Sequence, residues 1–265
     1  MVKMILVSRL DKVSMAVGDM LIESFGFKEE GEGLYMRGDT ILYMVDRSHL
    51  EADSVGEGLG AELVVVASVH RSEAGVKALL THPTGNWGAS ADYGGKPYTL
   101  SATSATALYT ALHTLREEAD QLGLEDWRVG MEATHHGPRT DAPLIYVEAG
   151  GSPGEPPPGR AIEAVAAACL AAAEKRVKAP EPAVGFGGTH YAPTFTRLAL
   201  RGDYSVGHIC PKYAMPVEPR MIRQAFEKTV ERPRRALIDW KGIPSKPKHM
   251  LVETLGNLGI DWEKV

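Results

Sequence analysis

The sequence predicts an α/β fold in which a mixed, mostly parallel central sheet is covered by helices on both faces. Short apolar segments alternate with segments of helical periodicity through most of the 265 residues, which is the pattern of β–α units. The segment AELVVVAS (61–68) is almost continuously apolar, as a central parallel strand is. With 44% hydrophobic residues the chain can bury a full core.

The predicted elements follow in order along the chain. KMILVS (3–8) is predicted as a strand, and the helix after it has Asp11 available as N-cap and Gly26 as C-cap. Further strands are predicted at 40–46, 61–68, 127–134, 143–150, 182–188 and 235–240. Long helices are predicted at 99–123 and 159–178, with two more near the C terminus. The proline-rich segment GGSPGEPPPG (150–159) is predicted as a long loop at a sheet edge.

Cysteine content and the N-terminal segment bear on the cell compartment. Cys169 and Cys210 lie far apart and outside any Cys-x-x-Cys pattern, which argues against a disulfide framework and a thiolate zinc site. The first apolar run has four residues, too few for a signal peptide or a membrane span. We therefore expect a cytoplasmic protein that does not enter a membrane.

Charge is distributed unevenly along the chain. The net charge is −5, which argues against coating nucleic acid through bulk electrostatics. Residues 208–248 nevertheless carry ten Lys and Arg against four Asp and Glu. This excess fits either a solvated helix face or a phosphate-binding face. We expect one domain over residues 1–265, with a basic C-terminal portion at about 208–265 packed on it.

The first candidate site segment follows the strand at 61–68. It places His70 three residues before Glu73, so that both side chains would lie on one face if a helix begins there. Imidazole and carboxylate are both good zinc ligands. A surface histidine beside a helix-starting glutamate would give the same pattern.

The second candidate segment, MEATHHGPRTDAP, also follows a strand. It contains Glu132, His135 and His136. Adjacent residues of an extended chain point to opposite sides, so we expect only one of the two histidines to face a given site. Glu148, at the end of the next predicted strand, could hold the second nitrogen of a histidine.

The third candidate segment, VGFGGTHYAPTFT (184–196), reads as a strand that runs into a glycine turn. The glycines clear space beside the backbone and expose His190, while hydroxyl groups come from Thr189, Tyr191, Thr194 and Thr196. If the strands are parallel, the three segments meet at one edge of the sheet, where ligands bind in such folds. The sequence therefore predicts a metal site or a histidine-centred hydrolytic site.

Other polar residues give weaker signals. Asn86, in the turn-rich loop THPTGNWG, could hydrogen-bond a substrate. His208 and Cys210 could ligate a metal, although a histidine near a buried cysteine is commonly structural. The remaining histidines are taken as ordinary residues: His49, His82, His113 and His249.

The segments SVHRSEAG, MEATHHGPRTDAPLIYVEAGGS, VGFGGTHYAPTFT and GHICPKYA together closely resemble the archaeal and plant type of D-aminoacyl-tRNA deacylase. The resemblance covers nearly the whole chain, and the glycine-histidine segment is its most specific part. It implies a three-layer α/β/α, phosphorylase/hydrolase-like fold and a zinc-dependent hydrolase that releases D-amino acids from tRNA.

The resemblance also suggests roles for the candidate residues. The leading zinc ligands are His70, Glu73 and His190. His135 or His136 would be a further ligand or would bind the oxyanion, and Glu132 or Glu148 would serve as base or as support. Substrate contacts are expected from Asn86, Gly187, Gly188, Thr189 and Tyr191. Acceptor-stem phosphates are expected to contact Lys212, Arg220, Arg223, Arg232, Arg234 and Arg235.

Three alternatives remain open at this point. A zinc peptidase or amidohydrolase would use the same ligand types. A metal-independent esterase could rely on a histidine or on the 2′-hydroxyl of the RNA. A non-catalytic RNA-binding module would keep tRNA affinity without turnover. We expect a monomer with no obligate protein partner.

Overall fold

The computed structural model describes residues 2–71, 75–151 and 156–265. Its strands are β1 (Lys3–Ser8), β2 (Lys28–Gly31), β3 (Leu34–Arg37), β4 (Thr40–Val45), β5 (Leu63–Val69), β6 (Ala78–His82), β7 (Gly85–Asn86), β8 (Thr99–Leu100), β9 (Arg128–Met131), β10 (Leu144–Gly150), β11 (Pro182–Phe186), β12 (Ser205–Cys210), β13 (Arg235–Ile238) and β14 (Asp261–Lys264). Its α-helices are α1 (Lys12–Ser24), α2 (Ala105–Gln121), α3 (Gly159–Glu174), α4 (Pro193–Leu200), α5 (Pro219–Glu227) and α6 (Ser245–Asn257).

Eight strands form the large sheet, in the order β2-β3-β4-β1-β5-β10-β6-β9. The central strands β4, β1, β5 and β10 run parallel to one another, β6 is antiparallel to β10, and β9 is parallel to β6. Val64, Val65 and Val66 of β5 are fully buried, and each contributes about 1.5–3 kcal/mol through burial. The predicted α/β class with a mixed, mostly parallel sheet is confirmed.

Helices α1, α2 and α3 pack on one face of the large sheet and form the main hydrophobic core with it. Helix α1 begins where the Asp11 carboxylate accepts hydrogen bonds from the N–H groups of Val13 and Ser14, as the sequence predicts. Its C-cap is Phe25, and Gly26 follows with φ +78°. Gly26 therefore occupies the left-handed position that follows the C-cap, and the C-cap itself is one residue earlier than predicted.

The small sheet has four parallel strands in the order β12-β11-β13-β14. One face joins the core shared with α2 and α4, and the other is covered by apolar residues of α5 and α6. Because the strands are parallel, the segments after β11, β12 and β13 leave the same edge of this sheet. His190 and Tyr213 lie in the first two of these segments.

Some elements were missed from the sequence. Strands β2 and β14 are short and rich in exposed polar residues, so they lack the apolar runs that indicate buried strands, and β3 has only four residues, all half-buried. Helix α2 begins at Ala105, six residues after its predicted start, because Ser104 caps it and β8 occupies part of the predicted segment. Strand β6 was also missed. None of the helices within the described residues is long and apolar enough to cross a membrane.

Candidate active site

The candidate site lies on the face of the large sheet opposite helices α1–α3. Along a strand, alternate side chains point to the same face. The register aligns Tyr146 of β10 with His82 of β6, and Glu148 of β10 with Ser68 of β5. Glu132 follows β9 and donates its N–H to the Thr81 carbonyl (3.1 Å). Four neighbouring strands therefore direct polar side chains toward one place.

The strand directions differ from the simple parallel arrangement expected from the sequence. Strands β6 and β9 run opposite to β5 and β10, so the ends of β9 and β5 do not share one edge of the large sheet. His70 nevertheless reaches the cluster because it folds across Gly150 of β10. A Cβ atom on Gly150 would lie 2.8 Å from His70 Cδ2. The expected shared edge was wrong for this sheet, and the side chains meet over its face instead.

The segment 132–136 is held between the two sheets by backbone hydrogen bonds. The N–H of Ala133 donates to the His190 carbonyl (2.7 Å), and the N–H of Thr134 donates to the Ile209 carbonyl (2.9 Å). These bonds connect the end of β9 to both β12 and the turn after β11. Residues distant in the sequence thus occupy fixed relative positions around the site.

His135 and His136 both face the cavity, so the expectation that only one would do so was wrong. That expectation assumed an extended chain, but His136 has φ +43°. The left-handed backbone turns the second ring back toward the first, and the two ring centroids are 4.3 Å apart. The His82 ring lies 4.2 Å from His135 and 4.9 Å from His136, which completes a group of three imidazoles.

Each of these three imidazoles bonds a backbone carbonyl through its Nδ1 atom. The acceptors of His82, His135 and His136 are the carbonyls of Pro83 (3.1 Å), Ala133 (2.8 Å) and Gly137 (2.6 Å). A carbonyl oxygen only accepts, so each Nδ1 carries a proton and Nε2 faces the cluster. This is the arrangement in which proteins hold histidine ligands of metals.

Burial and mutual proximity control the protonation of the imidazoles. Burial, followed by the charge of His82, holds the pKa of His135 well below 6.5 and lowers the pKa of His136 to about 3. Burial also opposes a proton on His82, but the Glu148 carboxylate outweighs it and raises the His82 pKa. His135 and His136 are therefore neutral at pH 7.

Glu132 is the most unusual group in the site. Its side chain is 0% exposed, and both carboxylate oxygens are among the described buried atoms that lack a hydrogen-bond partner. His190 Nε2 lies 3.1 Å and His70 Nδ1 3.6 Å from Oε1. A buried carboxylate without hydrogen bonds is costly unless a cation or metal compensates it.

Glu148, in contrast, is well supported. The Ser68 hydroxyl donates to Oε1 (2.6 Å), and His70 Nδ1 lies 3.5 Å from Oε2. Burial would raise the Glu148 pKa, but the imidazoles of His70 and His82 hold it well below its usual value. For His70, burial lowers the pKa, but contact with Glu148 and the Glu132 charge outweigh burial and raise it. Glu148 and His70 thus form a carboxylate–imidazole pair.

Two tyrosines contact the histidines at the opening of the site. The Tyr213 hydroxyl lies 2.9 Å from His190 Nδ1, which leaves Nε2 directed at Glu132. The Tyr191 hydroxyl lies 3.3 Å from His70 Nε2. Burial, followed by the charge of Glu132, raises the Tyr213 pKa to about 12, so this phenol is neutral at pH 7.

The site opens into a cavity of about 520 Å³. Its polar wall includes His70, His135, His136, Glu148 and His190. Its rim carries Leu10, Leu50 and Tyr93, of which Leu10 and Tyr93 are 68% and 73% exposed. A ligand in the cavity would therefore touch catalytic-type groups on one side and apolar groups on the other.

Two histidines at this site, His82 and His49, are not singled out by the sequence. His82 belongs to the imidazole group, and His49 contacts Asp11 (3.2 Å) and the Tyr146 hydroxyl (3.1 Å) at the cavity wall. His82 is the last residue of strand β6, and the other candidate residues also lie where strands end. A prediction of strand β6 would therefore have made His82 a candidate. His49 lies in a short 3-10 helix (His49–Glu51) and gave no comparable signal.

Several predicted substrate residues lie elsewhere. The Asn86 amide donates to the carbonyls of Gly94 (2.9 Å) and Lys96 (3.3 Å), and so supports a loop. Gly187 and Gly188 have φ +102° and +75° and approach the segment 239–243 instead of the cavity. Glu73, predicted as a zinc ligand, lies outside the described residues.

Thr189 and Tyr191 line a second cleft beside the cavity. Phe195 is fully buried against Gly185. Thr194 donates to Asp239 (3.0 Å), and Thr196 accepts the N–H of Met131 (2.9 Å). His208 is buried and bonds the Ser101 carbonyl (3.1 Å) and Thr134 (3.2 Å), as a structural histidine does.

The predicted phosphate-binding residues do not form one surface. Arg235 begins β13, at the end of the small sheet opposite the His190 turn, and pairs with Glu181 (3.0 Å). Arg234 precedes it, and Arg232 bonds the Glu227 carbonyl (2.8 Å) at the end of α5. These three arginines are close to one another in the sequence, but the structure places them away from the site. The others are exposed: Lys212 beside Tyr213, Arg220 over the Tyr98 ring, and Arg223 on α5.

The donor set fits a metal ion. Within residues 2–71, 75–151 and 156–265, three groups of side chains each bring their ligand atoms within 4.8 Å of one another. They are His82, His135 and His136; Glu132, His135 and His190; and His70, Glu132 and Glu148. Imidazole nitrogen and carboxylate oxygen are typical zinc ligands, and the Glu132 oxygens, which accept no hydrogen bond from the described residues, are those a cation would compensate.

Comparison with known proteins gives consistent results. A family model described as D-aminoacyl-tRNA deacylase matches residues 57–263. The chain is 36% identical to the D-aminoacyl-tRNA deacylase of Thermococcus kodakarensis, over 98% of each chain. It is 35% identical to the protein of the same name from Pyrococcus furiosus, over 99% of each chain.

A solved structure shares the fold. The crystal structure of a conserved protein of unknown function superposes with a TM-score of 0.90 at 30% identity. The match covers 99% of this chain and 95% of that one.

Proposed function

The chain belongs to the D-aminoacyl-tRNA deacylase family, and from that premise we propose that the histidine cavity hydrolyses the ester between a D-amino acid and tRNA. The chain is accordingly a hydrolase that acts on a carboxylic ester bond. We further propose that a zinc ion held by Glu132, His135 and His190 takes part.

The observation that carries the zinc proposal is the buried Glu132 carboxylate, whose two oxygens accept no hydrogen bond from the described residues. It lies beside His190 Nε2 at 3.1 Å, and its ligand atom is within 4.8 Å of those of His135 and His190. The Nδ1–H group of His135 donates a hydrogen bond to the Ala133 carbonyl, which leaves Nε2 available to bind a metal ion. Of the predicted zinc ligands, this assignment retains His190. It also changes the role of Glu132 from base to ligand.

When bound, zinc would polarise the ester carbonyl and make water more acidic. His70 is then suited to move protons, because its Nδ1 faces Glu148 and its Nε2 is directed toward Tyr191 at the cavity. Glu148, held by Ser68, orients the imidazole as the carboxylate of a hydrolytic triad does. His70 would accept a proton from water and return it to the ribose oxygen that leaves.

The rim would bind the amino acid. Leu10, Leu50 and Tyr93 present apolar surface beside the histidines. Side chains of esterified amino acids differ in shape, and exposed apolar groups accept them without specific hydrogen bonds. This division of the cavity suits an enzyme that must process more than one amino acid.

One experiment tests both parts of the proposal. Hydrolysis of matched D- and L-aminoacyl-tRNA is measured with wild type and His190→Ala, before and after chelation and zinc repletion. We expect wild type to prefer the D-ester, and chelation or His190→Ala to slow hydrolysis about 100-fold or more. His249→Ala, on the exposed surface of α6, is the control and should match wild type.

Two results would contradict the proposal in different ways. Full activity in exhaustively chelated protein would remove zinc and leave a histidine-based or RNA-assisted esterase. Absence of D-aminoacyl-tRNA hydrolysis by zinc-replete wild type would remove the deacylase function itself.

A further inference from the structure

A second cleft of about 740 Å³ lies beside the catalytic cavity, between the edge strand β9 and one side of α4. We name it the arginine cleft after residues in its lining, which include Arg128, Gly130, Tyr191, Thr196, Arg197 and Arg201. Gly130 belongs to its floor, where the absence of a side chain leaves space next to Thr196.

Among the described residues, the charged side chains in the lining of the arginine cleft are all arginines. Arg128, Arg197 and Arg201 are exposed, and the lining of the cleft includes no Asp or Glu among the described residues. Arg201 pairs with Asp203 (3.1 Å) outside the cleft. Within the described part of the chain, no carboxylate forms an ion pair with Arg128 or Arg197. Guanidinium groups of this kind bind phosphate through two parallel hydrogen bonds.

An aromatic ring adds a second type of contact. The Arg128 guanidinium lies 4.7 Å from the centroid of the Tyr191 ring. Stacked arginine and tyrosine planes are the groups on which proteins place unpaired bases. The cleft thus offers both a phosphate-binding charge and a surface for stacking, which are the two requirements of a single-stranded nucleic acid site.

The cleft and the cavity are neighbours, and their walls are in contact where Tyr191 of the cleft meets His70 of the cavity. The Tyr191 ring lines the cleft, while its hydroxyl lies 3.3 Å from His70 Nε2. Along β9, Gly130 precedes Glu132 by two residues on the same face of the sheet, a separation of about 7 Å. A polymer bound in the cleft can therefore place its terminal residue in the cavity.

We propose that the arginine cleft binds the phosphodiester backbone of the single-stranded 3′ end of tRNA. Arg128 and Arg197 contact phosphates on the 5′ side of the terminal nucleotide, and the ester-bearing ribose lies at His70 in the cavity. This inference rests on the proposed deacylase function for its substrate. It assigns to the arginine cleft, at the β9 edge of the large sheet, phosphate contacts that the sequence suggested for Arg234 and Arg235.

The test compares wild type with the double variant Arg128→Gln/Arg197→Gln on two substrates. One is D-aminoacyl-tRNA, and the other is a D-aminoacyl ester of adenosine, which has no phosphate. We expect KM for the tRNA to rise about 10-fold or more, with kcat/KM for the adenosine ester within about twofold of wild type. The slope of log KM against log salt should also fall by about one to two.

The charge-matched control is Arg176→Gln/Lys178→Gln, which removes two exposed cations after α3. It should behave as wild type on both substrates. An unchanged KM for tRNA in the Arg128/Arg197 variant, or an equal loss on both substrates, would overturn the inference.

Binding of uncharged tRNA separates this inference from the proposed function. The Kd should rise about 10-fold in the Arg128/Arg197 variant and stay constant in the control. If wild type binds tRNA through the cleft but hydrolyses no D-aminoacyl-tRNA, the proposed function fails and the cleft assignment stands. If the variant binds as tightly as wild type, the cleft assignment fails whatever the activity.

Discussion

Replacing Glu132 with glutamine is expected to reduce kcat/KM for D-aminoacyl-tRNA by about 100-fold or more and to lower the zinc content of the purified protein. Glutamine keeps the size of the side chain but removes the negative charge that would hold a cation beside His135 and His190. The measurements are steady-state hydrolysis and metal analysis of the same samples.

Stability distinguishes a functional carboxylate from a structural one. In chelator-treated protein, Glu132→Gln should keep or raise Tm, because the buried oxygens of Glu132 have no hydrogen-bond partners to lose. Glu117→Gln changes an exposed carboxylate on α2 and serves as control. A large fall in Tm with unchanged zinc content would show that Glu132 acts in folding and would contradict its assignment as a ligand.

Replacing Gly137 with alanine is expected to destabilise the protein by about 4 kcal/mol or more, which corresponds to a fall in Tm of about 10 °C. A Cβ at this position would lie 2.4 Å from Gly95 N, 2.5 Å from the Leu50 carbonyl oxygen and 2.6 Å from Gly94 C. All three are backbone atoms, so no side-chain rotation relieves the overlap.

The same substitution should also reduce activity. Gly137 follows His136 and donates its N–H to the Tyr93 carbonyl (3.0 Å), so its displacement moves both the imidazole group and the rim. Thermal unfolding and hydrolysis at a temperature where the variant is folded measure the two effects. Gly88→Ala, at a position with open space around it, is the matched control. Equal Tm values for the two variants would refute the close packing of backbone around Gly137.

The sequence predicts the scaffold well wherever burial determines the pattern. Strands β1, β4, β5 and β10 are apolar and were placed within one or two residues, and the Asp11 cap marks the start of α1. Strand β6 was missed because ALLTH is short and leads into a turn-rich loop. Without β6, the reversal of β6 and β9 relative to β5 and β10 could not be foreseen.

The site was only partly predictable for the same reason. His70 and Glu132, which directly follow apolar strands, and His190, in the glycine turn after β11, stand out in the sequence. His82 was passed over together with its strand. The convergence of His135 and His136 depends on a left-handed backbone at a non-glycine residue, which no periodicity reveals. The basic residues at 212–235 do not lie on one surface, because charge along the chain does not report which edge of a sheet a residue occupies.

The strand register has a consequence for how this enzyme can diversify. Ser68, His82 and Glu148 are fixed by the ladder of the sheet, whereas Leu10, Leu50 and Tyr93 belong to connecting segments. Insertions or substitutions in those connecting segments can change the shape of the cavity opening without moving the polar side chains that the sheet positions. Laboratory selection for new ester substrates should therefore accumulate changes in the connections and leave the ladder intact.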